Sequence, residues 1–119
     1  STNLIIYGHH MNNGTMFADL CNYNDYSYFT EHPTVVLETK DGAFAYSVFS
    51  AMKVKSDDDW YRFITTDLDK TYEKWISYSK TKSLYNTEIT PVYGQQILTL
   101  STCYGDNQND RILVLAVRN

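Results

Sequence analysis

Cys103 closes one apolar run, Ile97 to Cys103, and Arg111 opens the next, Arg111 to Arg118. Both runs are rich in Ile, Leu, Val and Thr, and Gly105, Asp106 and Asn107 lie between them. That pattern predicts two β-strands joined by a polar loop. A thiol at a strand end beside a cation can act as a nucleophile, because the thiolate is the attacking form and positive charge favours it. Arg111 keeps its proton at ordinary pH. It can therefore supply fixed charge or hydrogen bonds to an oxyanion, but not a base. An acid or base has to come from one of the three histidines, His9, His10 and His32. The ordinary readings stand beside these: a strand-end cysteine as a small buried hydrophobe, and a strand arginine as a charge that discourages edge-to-edge association. Arg118 takes the second of these.

The elements that must position these residues follow from periodicity. Strand alternation puts Cys103 on one face with Ser101, Thr99 and Ile97, and Leu98 and Leu100 on the other. Leu4 to Tyr7 is a short apolar run ended by Gly8, which predicts a buried strand that delivers Gly8-His9-His10 to a loop. Thr15 can cap a short helix with Met16, Phe17, Leu20 and Cys21 on its apolar face, so Cys21 is expected to pack rather than react. A further helical turn from Asp25 carries Tyr28 and Phe29 inward and stops at His32-Pro33; His32 is expected to be structural or exposed. Thr34 to Thr39 and Ala43 to Lys55 form a hairpin across Lys40-Asp41-Gly42, with Phe44, Tyr46, Val48, Met52 and Val54 sharing one face.

Trp60, Phe63, Ile64, Leu68, Tyr72, Trp75 and Ile76 trace one helical stripe, the longest helix predicted. The acids Asp57, Asp58 and Asp59 precede it at the positive end of the helix dipole, where capping explains them without a metal. The segment from Ser79 to Gln95, with Pro91 and Gly94, reads as a long loop into the final hairpin.

Length and composition narrow the function. The 119 residues, 43% hydrophobic and including eleven tyrosines, suit one domain with its own core. A net charge of −4 with no Lys/Arg cluster argues against nucleic acid or an anionic membrane surface as partner. Two cysteines make neither a disulfide framework nor a zinc site and are read as thiols. No stretch is long and apolar enough to span a bilayer, and the first residues do not form a signal peptide. No metal or organic cofactor is expected.

Tyr7-Gly8-His9, Thr99-Leu100-Ser101-Thr102-Cys103 and Arg111 ahead of Ile-Leu-Val-Leu-Ala together resemble the active-site signature of sortases. The long helical insertion before the cysteine strand is similar to class B in particular. The resemblance implies a mainly β fold with helical insertions (α+β), a sortase-type β-barrel of which residues 1–119 are the C-terminal portion of a single catalytic domain. It places a membrane anchor and the early strands upstream. It implies Cys103 as nucleophile, His9 as acid/base and Arg111 as oxyanion stabiliser, with Tyr7, Ser101 and Thr102 near the substrate groove. Class B enzymes can carry an acid after the cysteine, where this chain has Tyr104.

The activity implied is a cysteine transpeptidase of Gram-positive bacteria at the extracytoplasmic membrane face or cell wall. It would cleave a surface protein's sorting signal at a Thr-Gly-type bond, form a thioacyl enzyme and pass the acyl group to a peptidoglycan amine. Two alternatives accompany it. One is a Cys-His-Arg peptidase that uses water, since transfer and hydrolysis share the thioacyl step. The other is a non-catalytic fragment that binds sorting signals or self-associates through exposed strand edges.

Overall fold

The computed structural model describes residues 1–8 and 19–119. Its centre is a five-stranded sheet in the order β1-β4-β5-β3-β2, with β1 (Asn3–Gly8), β2 (Thr34–Thr39), β3 (Gly42–Lys55), β4 (Ile97–Cys103) and β5 (Asp110–Arg118). β1 lies parallel to β4, and the other neighbours are antiparallel. The fold is the mainly β architecture expected, one curved half of a barrel with helices on its faces. Among the described residues no helix is long and apolar enough to cross a membrane.

β4 and β5 are covered on both faces, which is why they read as near-continuous apolar runs. One face packs Leu98, Leu100, Ile112 and Val114 against Leu20, Tyr23 and Phe29 from a 3₁₀ helix (Leu20–Asn24) and α1 (Tyr26–Glu31). The other packs Ile97, Leu113, Leu115 and Val117 against Trp60, Phe63, Tyr72 and Ile76. The helix expected from Thr15 lies partly outside the described residues; Leu20 and Cys21, at its end, do turn to the first core.

Two sequence expectations are corrected. Phe44, Tyr46 and Val48 face the first core, but Met52 and Val54 face the second. The cause is a β-bulge in β3: Val48 pairs with Ala116 and Ser50 with Leu115, leaving Phe49 as the extra residue. One inserted residue reverses the alternation beyond it, so a single strand feeds both cores.

The stripe from Trp60 to Ile76 is not one helix. A short 3₁₀ helix (Asp59–Arg62) is followed by extended chain, and α2 runs only from Asp69 to Lys82. Ile64, Thr65 and Thr66 are β-branched and disfavour helix. The backbone around them is bonded to β1 instead: Asn3 Nδ2 donates to the Phe63 carbonyl at 2.8 Å, Asn3 N to Ile64 O at 2.9 Å, and Thr66 N to Thr2 Oγ1 at 3.0 Å. Trp60, Phe63, Tyr72 and Ile76 remain core, but Ile64 and Leu68 stand 45% and 61% exposed. Capping by the acids holds in the shorter element, where the Asp58 carboxylate accepts from Trp60 N at 3.1 Å.

α2 extends past Ser79, where a loop was expected to begin, and the loop after it is pinned by Lys80. Its Nζ donates to Ile89 O at 2.6 Å, to Thr87 Oγ1 at 3.1 Å and to Phe49 O at 3.4 Å. Burial pushes this ammonium below the usual lysine range.

Candidate active site

The antiparallel register sets Cys103 directly opposite Arg111. Opposed residues on neighbouring strands project to the same face, so the last side chain of β4 and the second of β5 stand together on the side of the second core. Ser101 lies two positions back on that face, and Tyr7 is its partner on β1. These residues, with Gly8 and Thr102, line a recess of about 240 Å³.

The arginine is held from behind. Its Nη1 donates to the backbone carbonyls of Gln108 and Asp110, the latter at 3.0 Å. Nε and Nη2 have no partner among the described residues, so a guanidinium anchored by one nitrogen keeps donors available. Such a fork suits an oxyanion better than a flexible ammonium does.

Two buried hydroxyls fix the row that leads to the thiol. Trp60 Nε1 donates to Thr99 Oγ1 at 2.9 Å, and Thr99 donates in turn to Asn3 Oδ1 at 2.7 Å. One step nearer Cys103, Tyr61 Oη and Ser101 Oγ are 2.8 Å apart. The Tyr61 ring stacks on Tyr7, with centroids 5.8 Å apart and an interplanar angle of 15°. Burial pushes the Tyr61 phenol up, against a smaller lowering by Ser101 and Arg111. Tyr61 thus stays a neutral hydroxyl that backs two residues of the recess, Ser101 through its hydrogen bond and Tyr7, which is 66% exposed, through the stacked ring.

Tyr61 is the site residue that sequence reasoning did not find. It sits in the 3₁₀ helix Asp59–Arg62, from which its hydroxyl reaches Ser101 on β4. Tyr61→Phe is expected to leave the Ser101 hydroxyl unpaired and cost about 1 kcal/mol of stability. A urea midpoint shifted down at constant m-value checks this, and an unchanged midpoint removes the bond from the account.

Thr102 points to the opposite face with Ile112, its pair on β5, and its buried Oγ1 has no hydrogen-bond partner among the described residues. Cys21 approaches from that side, its Sγ 3.8 Å from the Cys103 carbonyl oxygen. Burial, and secondarily the nearby Cys103, push the Cys21 thiol up. No disulfide joins the two. Gly8 pairs with Thr102 at the end of the β1–β4 ladder; His9, the next residue in sequence, and His10 lie outside the described residues. His32 is exposed, stacked on Tyr28 at 4.0 Å and bonded through Nδ1 to the Tyr28 carbonyl. Arg118 lies 4.3 Å over the Phe44 ring, on a strand paired on both sides rather than at an edge.

A family model described as the sortase domain matches residues 1–119. The chain belongs to the sortase family. Sortase B of Staphylococcus aureus is 34% identical over 96% of this chain and 47% of its own length. Sortase B of Listeria monocytogenes is 33% identical over 91% of this chain and 43% of its own length. A solved Staphylococcus aureus sortase B–substrate complex superposes with a TM-score of 0.86 at 32% identity, covering 99% of this chain and 55% of that one. The chain thus spans about half the length of the sortase B proteins it matches, and the class B resemblance read from the motifs agrees with them.

Proposed function

We propose that the chain carries the reaction centre of a class B sortase, a cysteine transpeptidase acting on the sorting signals of surface proteins. The observation that carries this reading is the pairing of Cys103 with Arg111 on one face, opening on a recess walled by Tyr7 and Ser101. In this reading the Cys103 thiolate attacks the carbonyl of the Thr-Gly-type bond, and Arg111 balances the charge that grows on the carbonyl oxygen. His9 protonates the departing amine as the C–N bond breaks, leaving a thioacyl enzyme. A peptidoglycan amine then attacks the thioacyl carbon, gives its proton to His9 and releases the Cys103 thiolate. Tyr7 and Ser101, with the backbone of Thr102, border the groove for the sorting signal. The setting that suits this chemistry is the extracytoplasmic membrane face or cell wall, where both substrates occur.

Intact mass after incubation with a panel of sorting-signal peptides tests the reading, with and without triglycine as amine. The expected result is an acyl adduct on the protein, absent in Cys103→Ala, and a transfer product that requires the amine. Cleavage at the same rate without amine, and no transfer product with it, identifies a hydrolase. No adduct and no cleavage with any peptide overturns the catalytic assignment of Cys103.

A further inference from the structure

Asp57, Asp58 and Asp59 form one acidic run, but only the middle residue turns inward: its side chain is 10% exposed, and its two neighbours face solvent. Capping the 3₁₀ helix Asp59–Arg62 needs one acceptor, which Asp58 Oδ2 supplies to Trp60 N. The carboxylate takes more than that. Tyr78 Oη donates to the same oxygen at 2.7 Å, and Lys82 Nζ donates to Oδ1 at 3.0 Å. Tyr78 and Lys82 lie one turn apart on one face of α2, and Lys82 Nζ also donates to Tyr78 Oη at 3.0 Å. Burial works to raise the Asp58 carboxyl, but the bonds from Tyr78, Trp60 N and Lys82 outweigh it and hold the group below its ordinary value, so the carboxylate is charged.

What this clamp holds is the turn behind the site. A 3₁₀ helix of four residues has little geometry of its own. The N–H groups of Trp60 and Tyr61 both end on Asp58, the first on the carboxylate at 3.1 Å and the second on the backbone carbonyl at 3.2 Å. Trp60 and Tyr61 in turn hold the Thr99 and Ser101 hydroxyls on the strand that ends at Cys103, and Tyr61 stacks on Tyr7. Extended chain separates the turn from α2, so no continuous helix joins them. The clamp does so instead, together with the Trp60–Tyr78 ring stack at 6.5 Å. We propose that Asp58, clamped by Tyr78 and Lys82, is a positioning residue for sorting-signal binding: it touches no substrate and acts through Tyr61, which it keeps against Ser101 and Tyr7 of the recess. This rests on the transpeptidase reading above.

Steady-state cleavage of a sorting-signal peptide by three variants tests this. Asp58→Ser keeps a hydroxyl cap for Trp60 N but does not reach Tyr78 or Lys82. Its KM is expected to rise about tenfold with kcat per folded molecule unchanged, in keeping with one lost bond to a charged group. Lys82→Met, at a side chain 41% exposed, loosens the clamp and spares the cap, so its KM should rise about threefold. Lys82→Arg, which keeps a cation there, should restore the parent value. A purely structural role lowers the amount of folded protein and leaves KM alone, so a parental KM in both Asp58→Ser and Lys82→Met overturns the proposal. Should Asp58→Ser fail to fold, Lys82→Met decides alone. Ring contacts read the positioning without turnover. Nuclear Overhauser contacts between the Tyr7 and Tyr61 rings that weaken in Asp58→Ser and Lys82→Met support the positioning of Tyr61 by Asp58 even if no peptide is cleaved and the transpeptidase reading falls. Contacts as strong in the variants as in the parent overturn it, whatever the peptides show.

Discussion

Arg111→Ala is expected to lower sorting-signal turnover by about 10²–10³, the usual loss when one preorganised oxyanion donor is removed, with little change in melting temperature. The geometry separates these two effects. The side chain stands at a strand end, bonded to loop carbonyls at Gln108 and Asp110 rather than packed in either core, and β5 keeps its ladder through backbone bonds that the substitution does not touch. Arg111→Lys keeps the charge but loses the planar fork, one arm of which holds the loop while the other nitrogens face the recess. Its turnover should fall between the two. Acyl-adduct formation with a sorting-signal peptide, followed by quenched mass spectrometry, separates this step from amine attack. Near-normal acylation in Arg111→Ala would remove the arginine from the mechanism, and a large fall in melting temperature would show that its role is structural.

The pieces of the candidate site that sit on regular strands were legible in the sequence. Alternation alone puts Ser101 and Cys103 on one face, and the register bears that out, with Tyr7 and Arg111 beside them. The hairpin at Asp41-Gly42 was readable because its turn needs a residue at positive φ, and Gly42 sits at 130°. What sequence did not reveal was set by tertiary bonds. The bulge at Phe49 leaves no local mark, since Ser47 to Met52 reads equally well as uninterrupted strand, yet it decides which core Met52 and Val54 enter. The break after Arg62 depends on Asn3 and Thr2, some sixty residues away, taking hydrogen bonds that a helix would have used. The face of β1 was harder to assign than that of β4, because a short, almost wholly apolar strand carries no alternation to read.

Trp60→Ala is expected to cost about 3–5 kcal/mol, a large share of the roughly 5–15 kcal/mol that holds a typical domain together. Trp60 is fully buried and meets Phe63, Trp75 and Tyr78 at centroid separations of 5.3, 6.0 and 6.5 Å. Phe63 belongs to the extended segment and Trp75 and Tyr78 to α2, so the indole is the body on which its own 3₁₀ helix and these two stretches settle. Truncation removes that volume and also leaves Thr99 Oγ1 without its buried donor. Trp60→Phe isolates the second effect in large part, since it keeps a ring and loses only the N–H with part of the volume; about 2 kcal/mol is expected. Chemical denaturation of the two variants gives the comparison, and an alanine variant within about 1 kcal/mol of the parent would sink the packing argument. The ordering also bears on the site. Thr99 and Ser101 are neighbours on one face of β4, bonded to Trp60 and Tyr61, so loosening the indole lets the Tyr61–Ser101 wall shift relative to Cys103. Trp60→Phe should therefore lower the acylation rate more than its small loss of folded protein accounts for, whereas a rate that tracks folded protein alone would confine Trp60 to the core.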